Sequence, residues 1–281
     1  MKLTRFLTTP TSGVTRASAP ITEEQVVPTD AGTILSIALS MGAETLRVGG
    51  EIHRVEDTVI RICRAYGAVE VDVFAITSLI TAEVRMPDGS YATRNRRVSG
   101  TYNHLARLEA LNALSRTICK NPISEAEVNR RIEAIRLYRP VPEWLCYLGG
   151  MIATGGFAMF FGGSLMDGLA ASVIAFFLTV FARVRPLHIN GMVKSLISSF
   201  AAGVFSVLCV TIGFGDHVDK IIIGTIMLEI PGLSFGNSLR DLLCGDTLSG
   251  AMRFIQAVLQ ALMIALGYMG ALVLLRQQIG G

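Results

Sequence analysis

The sequence has few charged residues, and they are unevenly distributed. Only 17% of its 281 residues are Asp, Glu, Lys or Arg, against roughly 25% in an average soluble domain. Residues 1–141 hold 18 of the 25 Lys and Arg and 15 of the 22 Asp and Glu, whereas residues 142–281 hold seven of each kind. The second half is therefore too apolar to be an ordinary soluble domain.

Cysteine is scarce, and its spacing forms no pattern. The five cysteines are odd in number and include no Cys-x-x-Cys pair, which argues against a disulfide framework and a structural zinc site. We also find no phosphate-binding loop, nucleophile motif or metal signature. The sequence therefore predicts free buried thiols, no metal, no cofactor and no nucleic-acid partner.

The second half contains five long apolar runs, interrupted only by Glu229 in the fourth and Asp167 near the start of the second. A helix that crosses a bilayer needs about 20 apolar residues. We therefore predict a membrane protein with a bundle of five transmembrane helices in a domain over residues 142–281. The predicted helices lie at about 144–162, 165–183, 193–215, 219–239 and 252–275.

Lys and Arg are concentrated in alternate connections between the predicted helices. They precede the first helix, follow the second and follow the fourth, for example at Arg136, Arg139, Arg185, Lys194 and Arg253. Short loops rich in these residues stay in the cytoplasm. The pattern predicts a multi-pass protein of the cytoplasmic membrane with its N-terminus in the cytoplasm.

The fourth predicted helix is interrupted by Pro231 and Gly232. Proline removes a backbone donor, and a broken helix at membrane depth can line a binding cavity. Glu229 lies beside the break, and Asn237 and Asp241 share a helix face because they are four residues apart. We predict that these five residues bind substrate or couple transport. The alternatives are that Glu229 is the interhelical partner of a hydroxyl group or of Lys194, and that Asn237 and Asp241 cap the loop that follows.

Residues 29–141 predict a small cytosolic α+β domain, preceded by a disordered tail over residues 1–28 that is rich in Thr, Ser and Pro. Asp30 is a candidate N-cap, Pro87-Asp88-Gly89 a turn, and Ser124 the start of a capping box with Glu127. The predicted helices lie at 31–48, 53–66, 103–117 and 124–138, and the strands at 69–74, 79–86 and 90–96.

Charged side chains cluster where the second of these helices begins. They are Glu51, His53, Arg54 and Glu56. One interpretation is the site of a hydrolase or a metal site, because His53 and Asp57 lie four residues apart, a spacing that metal-binding pairs also use. The alternative is a polar helix surface whose charges form ion pairs.

Several segments resemble the threonine/serine exporter family. Residues 50–58 read GEIHRVEDT, which is similar to the family signature GAETYRVEDT in its glycine, its first glutamate and its Arg-Val-Glu, while Ile52 and His53 depart from it. The resemblance covers roughly residues 30–275. The other similar segments are residues 73–77, 112–116, 123–126, 231–233, 237, 240–242, 245–246 and 249–250.

The resemblance implies a secondary transporter that exports threonine, serine or a related small polar metabolite, with an ion gradient as the driving force. A two-chain branch of the family is associated with succinate. Long members carry about ten spans, whereas five are predicted here. The chain therefore resembles the larger subunit, which implies a smaller membrane partner of about 150 residues. A homo-oligomer is an open alternative. Glu229 stands where the family usually has an apolar residue.

Two other functions remain open on the sequence alone. A membrane-tethered enzyme or regulatory protein would use Glu51, His53, Arg54 and Glu56 of the N-terminal domain. A receptor or scaffold without flux would use neither site, but it gains nothing from a broken and polar fourth helix. We therefore expect a transporter subunit rather than an enzyme.

Overall fold

The computed structural model describes residues 30–139, 141–183 and 190–276, which form two compact units. The N-terminal unit contains the described residues up to Tyr138 together with Asn237–Ala251, and the apolar unit contains the rest. The predicted tail over residues 1–28 and Arg185 of the basic loop lie outside the described residues. The predicted domain boundary at residue 141 stays a prediction, and the units depart from it by assigning Asn237–Ala251 to the N-terminal unit.

The N-terminal unit contains four helices and a small sheet, and its predicted helices and strands are confirmed with ends shifted by a few residues. The helices are α1 (Ala31–Arg47), α2 (Ile52–Ala65), α3 (Leu105–Lys120) and α4 (Glu125–Leu137). The strands are β1 (Glu70–Ile76), β2 (Leu79–Arg85) and β3 (Tyr91–Arg97).

Short polar side chains set the ends of these elements. The Asp30 carboxylate accepts a hydrogen bond from the Thr33 amide at 2.7 Å, and the Ser124 hydroxyl accepts one from the Glu127 amide at 3.4 Å. Such N-caps satisfy amide groups that have no partner inside the helix. Gly89, with φ +85°, closes the turn between β2 and β3, as the Pro-Asp-Gly motif predicts.

The sheet is an antiparallel meander in the order β1-β2-β3, and one of its faces belongs to the core. Ile80, Ala82 and Val84 alternate along the central strand and are buried. Helix α1 contributes the largest share of the remaining core, including Ile34, Leu35 and other fully buried aliphatic side chains. Large aliphatic residues therefore hold this unit together in the ordinary way of a water-soluble domain.

The apolar unit consists of helices, and each predicted transmembrane segment corresponds to helical structure. The helices are α5 (Glu143–Phe160), α6 (Leu165–Arg183), α7 (Gly191–Thr211), α8 (Val218–Glu229), the start of α9 (Gly232–Leu243) and most of α10 (Thr247–Leu274). Among the described residues, α7 and α10 are long and apolar enough to cross a membrane, and Leu165–Phe181 is a shorter apolar stretch. The number of five spans stays a prediction.

Small residues lie where the helices of the apolar unit touch. A Cβ added to Gly224 of α8 would meet the Thr154 carbonyl oxygen of α5 at 2.7 Å, and one added to Gly203 of α7 would meet the Ala271 Cβ of α10 at 2.7 Å. The backbones therefore approach more closely than larger side chains would allow. This is the packing that membrane helices use where lipid provides no hydrophobic driving force.

Candidate functional site

The predicted break at Pro231 and Gly232 is confirmed. Helix α8 ends at Glu229 and α9 begins at Gly232. Ile230 between them has φ −58° and ψ 128°, outside the helical region, because the ring of a following proline disfavours helical geometry. A Cβ added to Gly232 meets no atom within 4 Å, so space does not require glycine at this position.

Glu229 lies at the end of α8 and contacts a neighbouring helix of the apolar unit. One of its carboxylate oxygens, Oε1, accepts a hydrogen bond from the Ser198 hydroxyl of α7. The other, Oε2, is buried and has no hydrogen-bond partner among the described residues. The alternative of a hydrogen bond between helices is therefore observed, and a role for Glu229 in coupling stays a prediction.

Other polar side chains inside the apolar unit form hydrogen bonds between helices that the sequence did not predict. The Tyr268 hydroxyl of α10 donates to Thr225 Oγ1 of α8 at 3.0 Å, and both side chains are buried. The Gln260 amide of α10 reaches the Ser195 hydroxyl of α7 at 3.5 Å. The available signal was single polar residues inside otherwise apolar runs, but such residues are common, and only tertiary packing shows which of them meet.

Asn237 and Asp241 lie in the N-terminal unit, where they contact the loop before α2. The Asn237 side-chain amide donates to the Gly49 carbonyl at 3.4 Å, and the Ile52 amide donates to Asp241 Oδ1 at 3.4 Å. Arg240 forms an ion pair with Glu51 at 2.8 Å. Two of the segments that resemble the exporter family, 190 residues apart in the chain, therefore lie against each other.

Glu51, His53, Arg54 and Glu56 do not converge on one centre. Glu51 faces Arg240, and Glu56 accepts a hydrogen bond from the Ala75 amide of β1 at 2.8 Å. Arg54 lies about 200° around the helix from Glu56, and both Arg54 and His53 are exposed. Burial raises the pKa of Glu56, and the nearby Asp246 carboxylate adds to this effect. The Glu51–Arg240 ion pair is of the kind that the alternative of a polar helix surface predicts, and the enzyme site stays a prediction.

Asp167 is a second residue whose role the sequence did not reveal. It is fully buried, and its carboxylate accepts hydrogen bonds from the backbone amides of Ser164, Asp216 and His217 at 2.6–2.8 Å. Asp167, Asp216 and His217 also lie close enough together for a metal ion. The hydrogen bonds from these three amides account for the position of Asp167. Through them, Asp167 connects the loop between α7 and α8 to the start of α6.

The five cysteines are free thiols, as predicted, but the prediction that they are buried holds for Cys63 alone, since Cys119 and Cys209 are partly buried and Cys146 and Cys244 are exposed. Cys63 is buried in the N-terminal unit, and burial raises the pKa of its thiol to about 12. A thiol with so high a pKa is unreactive at neutral pH.

The family model of threonine/serine exporters (ThrE) matches residues 36–275, which is most of the chain. Searches of the curated proteins and of the solved structures returned no significant match.

Proposed function

Because the chain belongs to the threonine/serine exporter family, we propose that it is a subunit of an ion-gradient-driven exporter of small polar metabolites. Threonine and serine are the first candidates for the solute, and a related amino acid or a dicarboxylate such as succinate is the alternative. On this proposal the N-terminal unit has no catalytic activity of its own. The divergence of Glu51, Arg54 and Glu56 supports this part of the proposal.

The observation that carries the proposal is the carboxyl group of Glu229 at a helix break. It lies between two apolar helices, and its Oε2 atom is buried without a hydrogen-bond partner among the described residues. A carboxyl group is costly inside a membrane and is seldom kept there without a role. We therefore assign to Glu229 the uptake and release of the coupling proton, beside a solute cavity at Pro231 and Gly232.

Asn237 and Asp241 act at one remove from that cavity. Both are bonded to the loop over residues 49–52 of the N-terminal unit. On our proposal they hold the end of α9 while the break at Pro231 changes shape during transport. Helix breaks of this kind allow one group of helices to move against another.

We further propose that the five apolar segments cross the cytoplasmic membrane with the N-terminal unit in the cytoplasm, as the distribution of Lys and Arg favours. The apolar unit exposes many large side chains, for example Phe160, Phe177, Ile212, Leu266 and Val273. Part of this surface would face lipid, and part is available to the smaller membrane subunit. A second copy of the chain is the alternative partner.

The test is transport by purified full-length protein in vesicles, with and without the smaller subunit. Labelled threonine, serine and succinate are measured both in solute exchange and in net export against a proton gradient. We expect Glu229→Gln to abolish net export and to retain exchange, because exchange needs no net movement of protons. Asp241→Asn and Asn237→Ala should abolish both activities while the protein remains in the membrane.

The matched control is Asp219→Asn, which removes an exposed carboxylate from the first turn of the same helix. It should leave both activities unchanged. Gradient-driven export by the Glu229→Gln protein at the wild-type rate would contradict the coupling role. Absence of any solute movement by the wild-type protein together with its partner would contradict the proposed function as a whole.

A further inference from the structure

A cleft in the N-terminal unit lies between α2 and α3 and has a volume of about 430 Å³. Sites for small molecules usually measure about 300–1,000 Å³. Helix α2 contributes Arg54, Asp57 and Arg61, which are three or four residues apart and share one face. Helix α3 contributes Asn112, Arg116 and Lys120, each one turn beyond the last.

Positive charge dominates the wall of the cleft. Four of these side chains are cations, and Asp57 is the one carboxylate among the described residues of the lining. Asp57 is already bound to Arg61 at 2.8 Å. Within residues 30–139, 141–183 and 190–276, no carboxylate forms an ion pair with Arg54, Arg116 or Lys120. The packing of α2 on α3 therefore brings to one cleft three cations that have no ion-pair partner among the described residues, and a bound anion would be attracted by all three.

The same side chains have the donor chemistry for oxyanions. A guanidinium group offers a planar pair of N–H donors that matches a carboxylate or phosphate, and the Asn112 amide supplies a neutral donor. The lining has no aromatic ring on which a base could stack. This favours a compact anion over a ligand held mainly by its ring system.

Two segments that resemble the exporter family supply most of this wall. Arg54 and Asp57 belong to the segment over residues 50–58, and Asn112 and Arg116 belong to the segment over residues 112–116. These lining residues all belong to the N-terminal unit, whereas Glu229 belongs to the apolar unit. The cleft is thus a separate feature from the proposed solute path.

We propose that the cleft binds a compact soluble polyanion with two or more phosphate or carboxylate groups, held by Arg54, Arg116 and Lys120. Asp57 limits the affinity because it adds a negative charge to the lining of the cleft. The site does not require the ligand to be the exported solute, and its occupancy is measured without any transport. Failure of this proposal is therefore distinguishable from failure of the proposed function.

The test measures binding of inorganic pyrophosphate and citrate to the full-length protein in nanodiscs of phosphatidylcholine. Arg116→Gln and Arg54→Gln should each weaken binding of the preferred anion about tenfold, the loss expected for one charge-assisted contact. Asp57→Asn should strengthen binding of the anion about threefold, because the lining of the cleft loses its negative charge. Binding should also weaken as the salt concentration rises.

The matched control is Arg64→Gln, which removes an exposed arginine of α2 that does not line the cleft. It should leave the affinity unchanged. Cys119, which lies in the cleft, gives a local readout through its rate of alkylation, followed by peptide mass spectrometry. Bound anion should slow alkylation of Cys119 and leave that of the exposed Cys244 unchanged.

Three results would overturn the proposal. The first is no binding of either anion by the wild-type protein at physiological salt. The second is an equal loss of affinity in the Arg116→Gln and Arg64→Gln proteins. The third is displacement of the anion, with protection of Cys119, when the nanodiscs contain phosphatidylglycerol, because the cleft would then be a site for lipid headgroups of the membrane.

Discussion

The two units of this chain distribute large and small residues in opposite ways. In the N-terminal unit, large aliphatic side chains such as Ile34, Ile62 and Leu111 are fully buried. Among the described residues of the apolar unit, alanine is the commonest buried residue, accompanied by buried Thr154, Ser199 and Ser206. A few large side chains such as Ile221 and Ile264 are also buried there, but many others are exposed. The first arrangement suits a surface in water, and the second suits a surface in lipid or against other helices.

This contrast shows that different forces stabilise the interior of each unit. Burial of apolar surface away from water stabilises the N-terminal unit. Lipid is as apolar as the side chains it surrounds, so the apolar unit depends on close backbone contact and on hydrogen bonds between helices. A substitution should therefore be most damaging in the N-terminal unit when it makes a core residue smaller, and in the apolar unit when it makes a contact residue larger.

The largest expected effect is that of Gly155→Leu in α5. A Cβ at this position would collide with the Ser172 hydroxyl and lie 2.7 Å from the Gly168 carbonyl oxygen of α6. Overpacking commonly costs about 1–3 kcal/mol, and this case should exceed that because a backbone carbonyl cannot rotate away. We expect no monodisperse protein after purification in detergent, as judged by size-exclusion chromatography.

The adjacent residue provides the matched control. Gly156 is exposed, and a Cβ added there meets no atom within 4 Å. Gly156→Leu should purify like the wild-type protein. If both variants behave alike, close packing of small residues does not hold the apolar unit together, and the contrast between the units fails.

The next effect is that of Ile34→Ala in α1. Ile34 is fully buried in the core of the N-terminal unit, and loss of such a side chain costs about 2–5 kcal/mol because a cavity remains. Leu137→Ala, at a position 80% exposed in the same unit, should cost far less. Hydrogen exchange of α1 amides in the full-length protein measures both changes. Equal exchange rates in the two variants would be inconsistent with an aliphatic core.

The smallest effect concerns the pH dependence of stability at Glu56. Burial raises its pKa above the ordinary value of 4.5, so the folded protein retains a proton that the unfolded chain releases. Stability contributed by this group is full below pH 4.5 and falls as the pH rises through the raised pKa. Glu56→Gln keeps an acceptor for the Ala75 amide and should flatten this fall. Thermal unfolding of both proteins across this pH range measures the change. A dependence of stability on pH that is equally steep in the variant would refute the assignment.

Local features could be predicted from the sequence because their causes lie within a few residues. The Asp30 cap, the Pro87-Asp88-Gly89 turn and the break at Pro231 each follow from the chemistry of one or two side chains. The contacts of Asn237 and Asp241 with Gly49 and Ile52 could not, because no local pattern relates segments so far apart.

Buried polar groups in the apolar runs were equally difficult to interpret. Asp167 and Glu229 both interrupt an apolar stretch. The sequence predicted a role only for Glu229, because a proline lies two residues after it. In the structure Asp167 has backbone amides as partners, whereas one oxygen of Glu229 has no hydrogen-bond partner among the described residues. That difference depends on which loop reaches the carboxylate, and it is decided by the tertiary fold.

The N-terminal unit is discontinuous in the chain, and this determines when it can complete its folding during synthesis. Its last segment, Asn237–Ala251, leaves the ribosome only after α5, α6, α7 and α8 have been made. Until then Glu51 and the Ile52 amide lack Arg240 and Asp241. Proteins fold from the N-terminus as they are synthesised, but this unit reaches its final form only when helices α5 to α8 already exist.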